Sequence, residues 1–262
     1  MAPPSLVDRW VLRFHPNPQA RRRLFCLPFA GGSASTFRTW STLLPADIEV
    51  CAIQPPGRES RIAEAPFTQL APLVQTLAYI IQPYLTLPFA LFGHSLGALI
   101  AFELTRQLRR EQLPEPRQLF VSARRAPQLV DTDAPIHQLP DAEFVQELRR
   151  YNGTPEAVLC HAELLALLLP VLRADFALHE TYVYLPEPPL DCPIVAFGGL
   201  EDSLVQQKDL AAWRSQTRQR FDAHLLPGDH FFINNPRALL ELLSQKLADH
   251  YSSGQSAGAS RQ

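Results

Sequence analysis

Cysteine is scarce in this sequence. There are four in 262 residues, at positions 26, 51, 160 and 192, and no two form a C-x-x-C pair. Three of them sit in apolar strand-like or strand-entry contexts, where buried free thiols are ordinary. No disulfide framework is implied, and a reducing cytoplasm is the expected setting. Excess charge is also missing. A formal net charge of −2 gives nucleic acid no support as a partner, and the one basic run, Arg21-Arg22-Arg23, reads as a solvated strand edge. No stretch is long and apolar enough to span a membrane; the leucine-rich run over residues 164–172 is short and contains Pro170. The first residues carry Asp8, Arg9 and Arg13 and lack the apolar core of a signal peptide. His15, His137, His161, His179 and His250 have no coherent metal-ligand spacing, so no metal is expected. No internal repeat is visible. What is present is a chain 46% hydrophobic, enough for one globular domain with an inserted subdomain.

Short apolar runs alternate with helical patterns. Strands are expected over residues 24–29, 48–53, 89–93, 118–123 and 194–198, with an alternating one nearer an edge over 221–226. Between them, helical spacing marks residues 67–84, 96–111, a segment around Leu210-Ala211-Ala212-Trp213, and 236–250. Residues 1–20 are proline-rich and expected to be irregular, with Trp10 and Phe14 as anchors. This alternation predicts an α/β fold, a mostly parallel sheet with helices on both faces. It breaks over residues 126–185, where helical patterns dominate and the leucines of 164–172 lie nearly all round, so that a cover is needed. The expected organisation is therefore a core of residues 1–125 and 186–250, a helical lid insertion at 126–185, and a disordered Ser/Gly/Ala/Gln-rich tail at 251–262. The insertion should lie over the carboxyl edge of the sheet, where ligands bind in such folds.

Gly93-His94-Ser95-Leu96-Gly97 fits G-x-S-x-G between a strand pattern and a helix pattern. A sharp strand-to-helix turn holds the serine strained and exposed over the positive helix end, and the two glycines let strand and helix close in. A plain turn whose serine caps the helix is the simpler alternative. A serine hydroxyl needs a base oriented by a carboxylate, here in the α/β-hydrolase order serine, acid, histidine. Asp202, directly after the buried strand at 194–198, is the candidate acid; Glu201 is its neighbour and competitor, and an N-cap role is the alternative. Asp175, Asp191 and Asp209 lie in contexts that point elsewhere. His230, in a turn beyond the last strand, is the candidate base. His224 lies within that strand, and His94 should point away from Ser95. Acyl transfer also needs donors for the oxyanion. The backbone N–H of Leu96 is one candidate and that of Ala30 the other, with Phe29 as the alternative to Ala30.

These runs resemble the type II thioesterases, stand-alone editing hydrolases that accompany polyketide and non-ribosomal peptide synthetases and are related to vertebrate medium-chain fatty-acyl thioesterases. The resemblance covers about residues 24–247. It rests on Pro28-Phe29-Ala30-Gly31-Gly32-Ser33-Ala34, Pro56-Gly57-Arg58-Glu59-Ser60-Arg61, the Gly93–Gly97 motif, Ser122-Ala123-Arg124-Arg125-Ala126-Pro127, and Leu148-Arg149-Arg150-Tyr151-Asn152-Gly153-Thr154-Pro155. Leu172-Arg173-Ala174-Asp175-Phe176, Gly198-Gly199-Leu200-Glu201-Asp202 and Pro227-Gly228-Asp229-His230-Phe231-Phe232 complete it. Several of these are not general hydrolase features. Asp229, where the family often has glycine, and Ala123-Arg124, where Gly-Arg is common, are departures.

The resemblance implies an α/β-hydrolase fold with a lid over an acyl chamber. It also implies hydrolysis of acyl thioesters carried on the phosphopantetheine arm of acyl or peptidyl carrier domains, without a cofactor. The partner would be a carrier domain, approached by a monomer. Because carrier domains are usually acidic, Arg58, Arg61, Arg124 or Arg125 could steer them, unless solvated or paired internally. The alternatives are an oxygen-ester hydrolase of the carboxylesterase or lipase kind, and a non-catalytic carrier-binding protein.

Overall fold

A computed structural model describes residues 6–130 and 133–256. Its strands are β1 (Val11–Leu12), β2 (Arg22–Leu27), β3 (Ile48–Ile53), β4 (Phe89–His94), β5 (Gln118–Ser122), β6 (Ile194–Gly199) and β7 (Phe221–Leu226). Among the described residues they form one sheet in the order β1-β3-β2-β4-β5-β6-β7. Every pairing is parallel except β1 with β3. Every residue of β3, β4, β5 and β6 is buried. That burial explains their largely apolar sequences, because a parallel sheet is covered on both faces; the buried Glu49 in β3 and Gln118 at the start of β5 are exceptions. β7 is the far edge strand, and its half-exposed pattern fits the alternation of its sequence.

The helices are α1 (Leu6–Trp10), α2 (Trp40–Leu43), α3 (Leu70–Ile81), α4 (Leu96–Arg110), α5 (Asp141–Tyr151), α6 (Glu156–Leu159), α7 (Ala162–Glu180), α8 (Gln207–Ala211) and α9 (Arg237–Ser256). The period-two direction of strand side chains divides the core. Phe25, Leu91, Leu119 and Val121 meet α3 and α4 on one face. Leu24, Phe92, Phe120 and Phe197 meet Trp40 and the leucines of α9 on the other. Both faces are needed to hold β4, whose carboxyl end carries the serine motif.

The N-terminal segment differs from its sequence reading. α1 and β1 give order to residues expected to be irregular, and β1 adds an antiparallel edge. Trp10 is its anchor, buried at 3% exposure against Phe67 and under the Arg61 guanidinium. β1 is only two residues long, too short for periodicity to show. At the other end, α9 takes in residues 251–256, which composition assigned to the tail; residues 257–262 lie outside the described residues.

Between β5 and β6 the chain leaves the sheet through α5, α6 and α7. These pack around their own apolar cluster, which includes Phe144, Leu148, Leu159, Leu172 and Phe176. α7 is divided at Pro170, which cannot donate a helix hydrogen bond. Beyond it, Val171, Leu172, Phe176 and Leu178 are buried; before it, Leu164 and Leu167 remain 37% and 54% exposed. The leucine run before Pro170 is therefore covered on one side only, where Leu165, Leu168 and Leu169 pack against the insertion's own cluster. No helix among the described residues is long and apolar enough to cross a membrane.

Candidate active site

Ser95 joins β4 to α4 with φ +52° and ψ −113°, a backbone conformation that costs a non-glycine residue energy. The surroundings enforce it. A Cβ on Gly93 would lie 2.0 Å from the Gly97 carbonyl oxygen, and one on Gly97 would lie 2.2 Å from that of Leu27. Strand, turn and helix are thus in backbone contact, which only glycine at both places permits. The Ser95 N–H donates to the Ser122 carbonyl at 2.7 Å, tying the turn to β5.

His230 follows β7 in a tight turn. Its Nε2 lies 3.1 Å from Ser95 Oγ and its Nδ1 2.9 Å from Asp202 Oδ2. A carboxylate only accepts, so Nδ1 carries the proton and Nε2 is left to accept the serine hydroxyl. The Asp202 side chain is fully buried. Its other oxygen accepts the N–H groups of Leu204 at 2.8 Å and Val205 at 3.1 Å, which fixes the carboxylate before His230 is considered. The helix that follows, α8, has Gln206 as its N-cap, so Asp202 holds the turn before that helix and the imidazole, not the helix N-terminus. Glu201 turns away, accepting from Gly228 N–H. Asp229 accepts from Phe231 N–H at 2.8 Å and from Asn152 Nδ2 at 3.4 Å, so it joins the insertion to the His230 loop and leaves the imidazole alone.

His94 is the residue whose part was not legible in the sequence. It points away from Ser95, as expected, and is completely buried. Its Nε2 lies 2.9 Å from the His230 carbonyl oxygen and its Nδ1 2.9 Å from Ser122 Oγ. The carbonyl can only accept, so Nε2 carries the proton and the Ser122 hydroxyl donates to Nδ1. Burial, and then the neighbouring His230, push its pKa well below the ordinary histidine value, so the ring is neutral. A polar ring at the end of a strand buried on both faces must find partners. That requirement was the available signal, but which partners it would find was not readable from the sequence.

The backbone N–H groups of Ala30 and Leu96 have no acceptor among the described residues, and both residues line the cavity that opens on Ser95 and His230. Phe29, the alternative donor, packs its ring edge-on to His94 and Phe231. The cavity is about 820 Å³ including its mouth, with Leu148, Tyr151, Leu172 and Phe176 supplied by the insertion. His179 also lines it. Burial, then the charges of Arg124, His137 and Arg125, bring its pKa down to about 3, so it presents a neutral ring. Among the described residues no group of three or more His, Cys, Asp or Glu side chains could hold a metal ion.

The arginines considered for steering a partner fall into two groups, one buried and one at the cavity. Arg58 and Arg61 are 6% and 4% exposed. Arg58 is ion-paired with Asp175, and Arg61 with Glu64 at 2.5 Å. Arg124 and Arg125 line the cavity.

A model of the thioesterase domain family matches residues 22–247. The gramicidin S biosynthesis protein GrsT of Aneurinibacillus migulanus is 48% identical, over 93% of this chain and 95% of its own length. Among solved structures, the thioesterase RedJ from the prodiginine biosynthetic pathway of Streptomyces coelicolor superposes with a TM-score of 0.82 at 40% identity, covering 88% of this chain and 87% of its own. The type II thioesterase BorB from the borrelidin biosynthetic cluster gives a TM-score of 0.82 at 38% identity, covering 93% and 98%.

Proposed function

Because the chain belongs to the thioesterase domain family, we propose that Ser95, His230 and Asp202 are its nucleophile, base and acid, with the N–H groups of Ala30 and Leu96 as oxyanion donors. The protein is a serine thioesterase that removes acyl groups from the phosphopantetheine arms of carrier domains. The gramicidin S, prodiginine and borrelidin systems in which its relatives work support a synthetase as its partner. The observation that carries the residue assignment is the row Ser95 Oγ, His230 Nε2 and Nδ1, and Asp202 Oδ2, with spacings of 3.1 and 2.9 Å, opening on a largely apolar chamber.

In this reaction His230 Nε2 takes the Ser95 proton as Oγ attacks the thioester carbonyl, and Asp202 steadies the imidazolium. The carbonyl oxygen becomes an anion between two backbone N–H groups that need not turn away from other acceptors. Collapse expels the pantetheine thiol, which takes the proton from His230. Thiols ionise near a pKa of ~8.5, so this departure demands less acid assistance than an amine would. Water, deprotonated by His230, then cleaves the acyl-serine and regenerates the enzyme. The acyl chain lies in the chamber roofed by α5 and α7.

Ser95→Ala should lower kcat on acyl-pantetheine substrates by roughly 10⁴-fold or more. Full activity in that variant would end the mechanism. Matched thioesters and oxygen esters, compared by kcat/KM, separate this reading from a carboxylesterase. Fluorophosphonate labelling of the native protein at Ser95 separates it from a non-catalytic carrier-binding protein.

A further inference from the structure

Two sequence runs are not used by the mechanism, Pro56-Gly57-Arg58-Glu59 and Arg173-Ala174-Asp175. They meet beneath the loop that follows β2. Asp175, on the buried half of α7, is 2% exposed. Its Oδ2 accepts the Gly31 N–H at 2.7 Å and is ion-paired with Arg58 Nη2. Arg58 in turn donates from Nη1 to the Pro56 carbonyl at 3.0 Å. Gly31 has φ +76°, and a Cβ there would lie 2.7 Å from Leu172 Cδ2 of α7, so the loop rests against that helix. The far side of the loop is held by the chain after β3. Ala34 N–H donates to Gln54 Oε1 at 2.7 Å, and Ser33 Oγ donates to Glu59 Oε1 at 2.6 Å. Gln54 Nε2 closes the set by donating to the Arg58 carbonyl at 3.1 Å.

Gly31 directly follows Ala30. The peptide plane that holds the Gly31 N–H joins the plane that holds the Ala30 N–H at a single Cα. Fixing one plane therefore leaves only the two soft dihedrals of Ala30 to orient the other. A carboxylate so near the oxyanion position is unfavourable by itself, because it repels the charge that develops there. The Arg58 guanidinium neutralises it without competing for the Gly31 N–H. We propose that Asp175 is a positioning residue that, with Arg58 as counter-charge, sets the Ala30 N–H for the oxyanion. The oxyanion hole is then held by a helix of the insertion as well as by the hydrolase core. This rests on the assignment of Ala30 as a donor.

Two double variants separate positioning from charge. Asp175→Leu with Arg58→Met removes the Gly31 acceptor and both charges without leaving a buried charge alone. Asp175→Asn with Arg58→Gln removes both charges but keeps an acceptor. With acyl-pantetheine substrate, the apolar pair should lose kcat by about 10- to 100-fold, since losing one oxyanion donor outright costs about 10²–10³. Its KM should stay within about threefold and its pH profile should be unchanged, because substrate contacts and His230 are untouched. The amide pair should recover kcat to within about fivefold of wild type. A folded apolar pair with kcat within about threefold of wild type overturns the proposal. If the apolar pair does not fold, Arg58→Gln alone decides. An uncompensated Asp175 should weaken binding of an alkylboronic acid, which forms a tetrahedral anion on Ser95, several-fold, and unchanged binding overturns the proposal. Ser95→Ala is run beside these variants: activity there would overturn the serine assignment itself, a different result from an inert Asp175.

Discussion

The neutral, buried His94 makes a prediction about acid stability. Its pKa is held well below the ordinary histidine value in the folded protein and returns to about 6.5 on unfolding. Above that pH neither state binds the proton, and the ring contributes its full stability. Below it the unfolded chain takes up a proton that the folded ring refuses, so stability falls as pH drops towards the folded pKa. Each pH unit in that window costs about 1.4 kcal/mol per such group, or about 2 kcal/mol between pH 6.5 and 5. Against a typical total of about 5–15 kcal/mol this is large. His179 acts in the same sense, while Glu115, raised by burial, acts in the opposite one; both are common to wild type and variant. The Glu49 carboxylate does not enter this window. Burial favours its neutral form, but the hydrogen bonds from Arg23 and Asn17 and the charge of Arg13 hold its pKa below the usual glutamate value. The assay is urea unfolding at pH 7, 6 and 5 for wild type and His94→Gln. The variant should be less stable at pH 7, having lost the imidazole bridge between Ser122 and the His230 carbonyl. Its further loss on going to pH 5 should be smaller than that of wild type by about 2 kcal/mol. Equal acid slopes in the two proteins would refute the neutral, buried imidazole.

Two more predictions concern the site. Asp202→Asn should lower kcat by about 10⁴-fold by presenting the wrong His230 tautomer, whereas Glu201→Gln should stay within a few-fold of wild type; steady-state kinetics with acyl-pantetheine decide, and a larger loss at Glu201 would reverse the assignment. Gly97→Ala should cost about 3 kcal/mol or more, because a Cβ 2.2 Å from the Leu27 carbonyl oxygen meets backbone that cannot move aside; thermal melting within about 2 °C of wild type would contradict that close approach.

The parts of this fold that were legible in the sequence are those fixed by local chemistry. Parallel strands buried on both faces are largely apolar, so β3 to β6 stand out even though β3 holds Glu49 and β5 opens on Gln118. The serine turn was readable because backbone contact leaves glycine no substitute at positions 93 and 97. Chain order then led to Asp202 and His230, which the fold brings to one hydrogen-bonded row. What could not be read depends on distant partners. Arg58 and Arg61 can be read in the sequence as partner-facing, solvated or internally paired, and only the packing of α7 and Trp10 decides for burial. The leucine run of α7 lies almost wholly before Pro170, where Leu164 and Leu167 are exposed while Leu165, Leu168 and Leu169 pack partly against the insertion, so composition alone could not tell which leucines would be covered.

The insertion touches the site from two sides. On one, Asn152 is bonded to Asp229, and Gly153 lies so close to Phe231 that a Cβ there would stand 2.7 Å from the ring, so the turn after α5 rests on the loop that carries His230. On the other, Asp175 grips the loop that carries Ala30. Both contacts come from segments bordering the small apolar core of the insertion, in which Leu148 of α5 meets Leu172 and Phe176 of α7. A change in that core should therefore reach the loops that carry His230 and Ala30 together, whereas α4 and the sheet hold Ser95 independently. An acyl chain that fills the chamber presses on Leu148, Leu172 and Phe176, the same side chains that join the two grips. Acyl-chain fit should then be linked to the alignment of the groups around Ser95. A substrate that packs poorly should for that reason lose kcat as well as affinity.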